Sequence, residues 1–323
     1  MTAPNPLRPL KFDMSIDVSA ICNAVDPVQL AATVWLPPSQ TLSEPPVIVF
    51  ALPGGGYAKG YFDIKLPGHL DYSQAENYVS RGFIFIALDH LGVGASSLPA
   101  PATITFESLA ATYNSAVRIL SDKIRSGALH PDFAAIDRFA KIGIGHSMGG
   151  CVSILAQGRY ASFDAIASLG YSVINVRIPH ANAQSSLPED VGDWTFPFHW
   201  EDVPPDIREA DLRGGFPERI TTPPWGSRTM PPCVMRMAEP GAVAKEAAAV
   251  SVPVFIGVGE RDICPNPRAE PATYASTGDI SLRIFPRMAH MHNFASTRRM
   301  LWHELAEWID RVAVRALASP HFL

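Results

Sequence analysis

From Pro46 onward, short continuous runs of apolar residues alternate with segments in which apolar residues recur at helical spacing. A strand whose residues are all apolar is typical of a sheet that is covered on both faces, and alternation of strands with helices is typical of parallel sheets. The pattern therefore predicts an α/β fold around a mostly parallel sheet. The predicted strands are residues 47–52, 83–89, 141–145, 165–169, 252–258 and 281–285.

Further elements are predicted at both ends of the chain and between the strands. Residues 12–18 and 30–36 alternate apolar with polar side chains, which is typical of an antiparallel edge. A helix over 70–81 is predicted to end at Gly82, and a second over 106–124 at Gly127. Asn293 is a candidate cap for a last helix over 294–316.

Residues 171–249 interrupt the alternation of strands and helices. They contain 11 of the chain's 30 prolines and show little helical or strand periodicity. The segment is also rich in aromatic residues and methionine. This composition favours a segment that packs against the rest of the protein over a mobile insertion. We therefore expect a core at residues 1–170, a cap or lid at 171–249, and the remainder of the core at 250–323. The 323-residue length fits one large domain with such an insertion, or two domains.

Charge and composition exclude several classes of function. The net charge is −5 with 18% charged residues, so the chain lacks the basic footprint of a nucleic-acid-binding protein. No apolar run approaches the ~18 residues of a membrane-spanning helix, and the first 13 residues lack the pattern of a secretory signal. Four scattered cysteines form neither a disulfide framework nor a zinc motif, which favours reduced thiols in the cytoplasm.

One short motif carries most of the chemical information. Residues 145–149 read Gly-His-Ser-Met-Gly, a G-x-S-x-G pattern between an apolar strand and a small-residue helix. A strand, a sharp turn and a helix are the context that a nucleophile elbow requires, with Ser147 exposed at the turn. The alternative is a glycine-rich turn that carries an ordinary serine.

A serine is a poor nucleophile without a base and an orienting acid elsewhere in the chain. Glu260 and Asp262 follow the predicted strand 252–258, and His290 and His292 follow the last predicted strand. Both loops belong to the carboxyl edge of a parallel sheet, where ligands bind in open α/β folds. The order serine, acid, histidine is that of an elbow-type hydrolase.

These motifs together resemble the α/β-hydrolase fold enzymes that use a serine nucleophile. The resemblance covers about residues 46–316 and includes the stretch 89–96, which reads D-x-x-G-x-G-x-S after a strand. It implies that Ser147 is the nucleophile, His290 the general base and acid, and Asp262 the orienting carboxylate. It also implies a cap at the place of the proline-rich insertion, and it requires no metal or cofactor.

Acyl transfer further needs two N–H donors for the developing oxyanion. The resemblance implies that one is the amide of Met148, and that the other comes from the loop Leu52–Tyr57. That loop resembles an H-G-G-G motif with Pro53 in place of the histidine, and Gly55 is the first choice of donor, with Gly56 the second. A phosphate-binding loop is the alternative, but the Lys-Ser/Thr pair of such loops is missing.

Four further residues are candidates for contact with substrate: Tyr57, His146, Trp194 and His292. Packing is the alternative for Tyr57 and His146, and a pocket-wall or capping role is the alternative for His292. A metal site at His290 and His292 is disfavoured, because no carboxylate cluster follows at ligand spacing.

The function that the resemblance implies is hydrolysis of a carboxylic ester, lactone or thioester of a moderately sized hydrophobic substrate. The same three side chains also serve carbon–carbon bond hydrolases and acyltransferases, and a non-catalytic small-molecule receptor can use the same fold. Relatives that act as haloalkane dehalogenases or epoxide hydrolases place an aspartate at the elbow, where this chain has Ser147. The sequence leaves a homodimer open.

Overall fold

The chain forms one eight-stranded sheet within the residues that the computed structural model describes, which are 8–22, 26–181, 193–217 and 219–318. Its strands are β1 (Leu10–Asp17), β2 (Gln29–Leu36), β3 (Val47–Leu52), β4 (Ile84–Leu88), β5 (Ala140–His146), β6 (Ala165–Leu169), β7 (Val254–Gly259) and β8 (Ile280–Phe285). Their order across the sheet is β1-β2-β4-β3-β5-β6-β7-β8. The β1–β2 and β2–β4 pairs are antiparallel and the other pairs are parallel. The predicted parallel sheet with an antiparallel edge is confirmed.

The central strands are buried on both faces. In β3, Ile48 and Phe50 face one apolar core, while Val49 and Ala51 face the other. Successive side chains of a strand point to opposite faces, so a strand between two cores must be apolar at every position. This is the physical reason for the continuous apolar runs in the sequence.

Nine α-helices lie within the described residues, and the longest of them cover the two faces of the sheet. They are α1 (Ser19–Cys22), α2 (Gln74–Val79), α3 (Phe106–Arg125), α4 (Met148–Tyr160), α5 (Thr195–Phe198), α6 (Pro205–Leu212), α7 (Val234–Met237), α8 (Ala244–Ala249) and α9 (Arg298–Ala318). Residues of α3 and α4 belong to the first core, and residues of α2 and α9 belong to the second. Within the described residues, no helix is both long and apolar enough to cross a membrane.

Two predicted helix starts are wrong. Helix α2 begins at Gln74 rather than at residue 70, because the Ser73 side chain accepts the amide of Glu76 and caps the helix there. Helix α9 begins at Arg298, and Asn293 does not cap it. The side chain of Asn293 is instead buried, where it donates to the carbonyl of Tyr61 and accepts from the Trp302 indole.

Described residues of the insertion line one cavity together with residues that follow β3 and β5, and its described parts contain only the short helices α5 to α8. Residues 182–192 and 218 of the predicted cap lie outside the described residues. Several aromatic side chains of the insertion are buried in or packed against the second core, as expected from its composition: Trp194, Phe198, Phe216 and Trp225.

Candidate active site

Ser147 occupies the sharp turn between β5 and α4. Its backbone has φ 52° and ψ −116°, which is uncommon for a residue other than glycine. The turn requires glycines on either side: a Cβ at Gly145 would lie 2.0 Å from the carbonyl oxygen of Gly149, and a Cβ at Gly149 would lie 2.2 Å from that of Leu52. The G-x-S-x-G spacing thus permits the close approach of strand and helix that presents Ser147.

The side chains of Ser147, His290 and Asp262 form a continuous hydrogen-bonded chain. The Nε2 atom of His290 lies 3.0 Å from the Ser147 hydroxyl oxygen, and its Nδ1 atom lies 2.7 Å from Oδ1 of Asp262. Because the carboxylate can only accept, Nδ1 carries the proton and Nε2 is free to accept the hydroxyl proton of Ser147. Three residues from widely separated parts of the chain therefore meet in the arrangement of a nucleophile, a base and an orienting acid.

The Asp262 carboxylate is buried and accepts four hydrogen bonds. Besides His290, its donors are the amides of Gly259 and Ile263 and the Nε2 atom of His292, which lies 2.7 Å from Oδ2. Burial by itself would raise the pKa of this carboxyl, but His292 and His290 and their hydrogen bonds hold the pKa well below its usual range. Asp262 is therefore an ionised acceptor that fixes the ring of His290.

The positions of Glu260 and His292, the neighbours of the two residues that the resemblance favours, differ from those of Asp262 and His290. Glu260 points away from the site, and its carboxylate accepts the amide of Arg287. His292 contacts Oδ2 of Asp262, whereas His290 contacts Oδ1. The two imidazoles thus turn toward different oxygens of one carboxylate rather than toward a shared point.

The glycine loop after β3 lies beside Ser147. Strands β3 and β5 pair so that Leu52 is opposite Gly145, and both strands end at the same edge. Gly54 and Gly55 line the cavity in front of Ser147 together with Met148. Met148 is the first residue of α4, so its amide is among those that the helix itself leaves unused.

The two predicted loop donors differ in their surroundings. Gly55 reaches the cavity, whereas Gly56, with φ 75°, is not among the described residues that line it. The carbonyl of Gly56 accepts the amide of Ser227, and the ring of Phe216 lies where a Cβ of Gly56 would be. Gly54 is a cavity residue that the sequence reasoning missed, although its place directly after Pro53 was a usable signal.

A histidine elsewhere in the chain anchors the loop in which Pro53 replaces the usual histidine. His90 is buried, and its Nε2 atom donates to the carbonyl of Pro53 at 2.8 Å. The neighbouring Asp89 accepts the amides of Lys59 and Ala95. The stretch 89–96 therefore braces the glycine loop from behind.

Of the four candidate substrate contacts, only Trp194 lies among the described residues of the cavity wall. Tyr57 is fully buried behind the glycine loop, with its hydroxyl on Asp211. His146 donates from Nε2 to the carbonyl of His290 at 2.7 Å and stacks on Tyr61, and His292 bonds Asp262. These three residues were expected to touch substrate, but each is occupied in supporting the residues that do reach the cavity.

Ser147 and His290 lie at the base of a cavity of about 490 Å³. Apart from these two, the described residues of its wall are glycines, aromatic residues, aliphatic residues, a proline and methionines, and none is Asp, Glu, Lys or Arg. The methionines are Met148, Met230, Met235, Met237 and Met291, and the aromatic residues are Tyr171, Trp194, Phe198 and Phe216. Such a wall suits an uncharged apolar ligand.

Solved structures with the same architecture exist, although the sequence matches no known protein-family model and no curated protein. An esterase from Thermogutta terrifontis superposes with a TM-score of 0.63 at 17% identity, covering 94% of this chain and 99% of that one. A monoglyceride lipase from Saccharomyces cerevisiae gives 0.61 at 16%, covering 90% and 94%. A haloalkane dehalogenase variant from Bradyrhizobium elkanii gives 0.61 at 14%, covering 94% and 97%. At these identities the likeness establishes a shared fold.

The His90 anchor predicts a pH dependence of stability. Burial lowers the pKa of His90 to about 4, against 6.5 for a free imidazole. As the pH falls, His90 is therefore protonated at a higher pH in the unfolded chain than in the folded protein. The contribution of neutral, buried His90 to the free energy of unfolding is fully present above about pH 6.5 and is lost as the pH approaches about 4. Roughly 2 kcal/mol of it is lost between about pH 7.5 and 5.

Urea unfolding at the two pH values checks this prediction, with His90→Gln as the variant because glutamine keeps an N–H donor and does not titrate. The free energy of unfolding should fall by roughly 2 kcal/mol less in His90→Gln than in the wild type. Equal losses in the two proteins would contradict the buried, neutral state of His90.

Proposed function

We propose that this chain, whose fold is that of the α/β-hydrolases, is a serine hydrolase that cleaves a carboxylic ester, lactone or thioester through an acyl-enzyme on Ser147. The observation that carries the proposal is the hydrogen-bonded chain from Ser147 through His290 to Asp262 at the base of an apolar cavity. An aspartate nucleophile, which the dehalogenase chemistry of this fold uses, is excluded by the serine at the elbow.

In the first half of the reaction, the Ser147 oxygen attacks the carbonyl carbon while His290 Nε2 takes the hydroxyl proton. The carbonyl oxygen becomes an oxyanion, for which the amides of Met148 and Gly55 are the proposed donors, with Gly54 beside them and Gly56 in support of the loop. The imidazolium of His290 is stabilised by the ionised Asp262. When the tetrahedral intermediate collapses, the bond to the leaving group breaks and that group takes the proton from His290.

In the second half, water replaces the leaving group. His290 takes a proton from the water as its oxygen attacks the acyl carbon, and the same amides hold the second oxyanion. Collapse of this intermediate breaks the bond to the Ser147 oxygen, which recovers its proton from His290. The acid product leaves, and the site returns to its starting state.

The cavity wall supports a moderately sized hydrophobic substrate. Aromatic, aliphatic and methionine side chains bury apolar surface, and a carboxylate placed among them would lose its hydration without gaining a partner. We propose that residues 171–249 form the cap over this cavity, between core segments 1–170 and 250–323. The four cysteines are unpaired, which supports a reducing compartment such as the cytoplasm.

Reaction with a fluorophosphonate probe tests whether the site is an enzyme or a receptor. An activated serine should be phosphonylated, so wild-type protein should be labelled while Ser147→Ala should not, since the variant lacks the attacking oxygen. Ser126→Ala, which removes an exposed hydroxyl at the end of α3, is the matched control and should be labelled like the wild type. Absence of labelling in the wild type would favour the non-catalytic receptor.

A panel of p-nitrophenyl esters tests the substrate class. Each buried methylene contributes about 0.8 kcal/mol, so kcat/KM should rise roughly fourfold per methylene of the acyl chain until the cavity is filled. The hemisuccinate ester should react at least about 100-fold more slowly than a neutral ester of equal length, because its carboxylate would be buried without a partner. Equal rates for the charged and neutral esters would show that the acyl group lies outside the cavity.

A further inference from the structure

A buried carboxylate in the insertion lies directly behind the glycine loop. Asp211 of α6 is fully buried, and the Trp225 indole donates to its Oδ1 atom at 2.9 Å. The Tyr57 hydroxyl donates to its Oδ2 atom at 2.8 Å, and His199 Nε2 lies 3.0 Å from the same oxygen. Arg219 donates to the backbone carbonyl of Asp211 at 2.7 Å. The hydrogen bonds from Tyr57 and Trp225 to its two oxygens hold this carboxylate in one orientation.

Tyr57 joins this carboxylate to the loop that faces Ser147. Its amide donates to the carbonyl of Gly54 at 3.2 Å and closes the turn that contains Gly55 and Gly56. Tyr57 is therefore the last residue of the turn, and two other residues of this turn, Gly54 and Gly55, line the cavity. Because the Tyr57 ring is fully buried and its hydroxyl is bonded to Asp211, the ring anchors the end of this turn.

The same loop forms a short ladder with the insertion. The amide of Ala58 donates to the carbonyl of Trp225 at 2.8 Å, and the amide of Ser227 donates to the carbonyl of Gly56 at 2.9 Å. Gly60 permits this approach, because a Cβ there would lie 2.6 Å from the carbonyl oxygen of Pro224. Trp225 thus contacts Asp211 with its side chain and the glycine loop with its backbone.

The charges around Tyr57 keep its hydroxyl a donor. Burial and the charge of Asp211 raise the pKa of Tyr57 well above its usual range, and Arg219 opposes this shift only in part. The guanidinium of Arg219 lies over the Tyr57 ring, 5.3 Å from its centroid. The phenol is consequently held from both its edge and its face.

We infer that Asp211 is a positioning residue, which acts through Tyr57 to fix the backbone amides of Gly54 and Gly55 beside Ser147. The inference rests on the proposed function, since it assigns those amides to the oxyanion. Donors of this kind act at a defined distance from the oxyanion, and a displacement of about 1 Å can cost ~100-fold in rate. The insertion then supplies part of the catalytic framework as well as a wall of the cavity.

The test compares Tyr57→Phe, Asp211→Asn and the double variant with the wild type, using a neutral p-nitrophenyl ester. Tyr57→Phe removes only the hydroxyl, and it should lower kcat about 10-fold or more while KM changes less than about threefold. The double variant should be no worse than the poorer single variant, because both substitutions break the same link.

Tyr78→Phe is the matched control. Its hydroxyl is also buried, and it donates to the carbonyl of Trp302 at 3.2 Å, where helices α2 and α9 pack in the second core. This variant should keep kcat and KM within about twofold of the wild type. A split between the two tyrosine variants cannot come from a general loss of packing.

Two results would overturn the inference: a folded Tyr57→Phe protein with wild-type kcat, or one with raised KM and unchanged kcat. Should Asp211→Asn fail to fold, Tyr57→Phe decides the question alone, because it keeps the shape of the side chain. Absence of Ser147-dependent turnover in the wild type would overturn the proposed function and this inference together. If only the inference fails, the wild type still hydrolyses the ester through Ser147, so the two failures are distinguishable.

Discussion

The site depends on the sharp turn at Ser147, where β5 passes into α4 with almost no space between strand and helix. The backbone at Ser147 lies in a region that is unfavourable for a side-chain-bearing residue, and tight packing around Gly145 and Gly149 holds it there. Because β5 runs parallel to β3, β7 and β8, this turn opens onto the same edge as the loops after those strands. The glycine loop, Asp262 and His290 can therefore meet one serine hydroxyl.

The insertion is bound to the loops that surround Ser147. The amides of His290 and Met291 donate to the carbonyls of Pro197 and Phe198, at 3.1 and 2.9 Å. The guanidinium of Arg261, next to Asp262, lies 3.9 Å from the centroid of the Phe196 ring. The described part of this segment packs into both cores, with Tyr171 and Met237 in the first and Phe198 and Trp225 in the second.

The sequence was sufficient to predict the features that depend on a short stretch of residues. The apolar runs located β3 and β6 to the residue, and the glycine spacing identified the turn at Ser147. The residues by themselves did not distinguish Glu260 from Asp262, and only the family resemblance favoured Asp262, because both follow β7 and the direction of the side chains separates them.

Other features were hidden because they arise from contacts between distant residues. Asn293 is a residue type that often caps helices, but here its side chain is buried and forms hydrogen bonds with Tyr61 and Trp302 instead. Asp211 is indistinguishable in the sequence from any acidic residue on a helix surface, and Tyr57 from any aromatic pocket residue. Their roles follow from the docking of the insertion, which its irregular, proline-rich sequence does not specify.

The most direct measurement of the central claim is peptide mapping by mass spectrometry after rapid acid quenching of a reaction with a p-nitrophenyl ester. If Ser147 is the nucleophile, the peptide that contains it should gain the mass of the acyl group, with a burst of p-nitrophenol of about one equivalent per chain when deacylation is slow. Turnover that leaves Ser147 unmodified at every quench time, with the acyl group found on another side chain, would contradict the account.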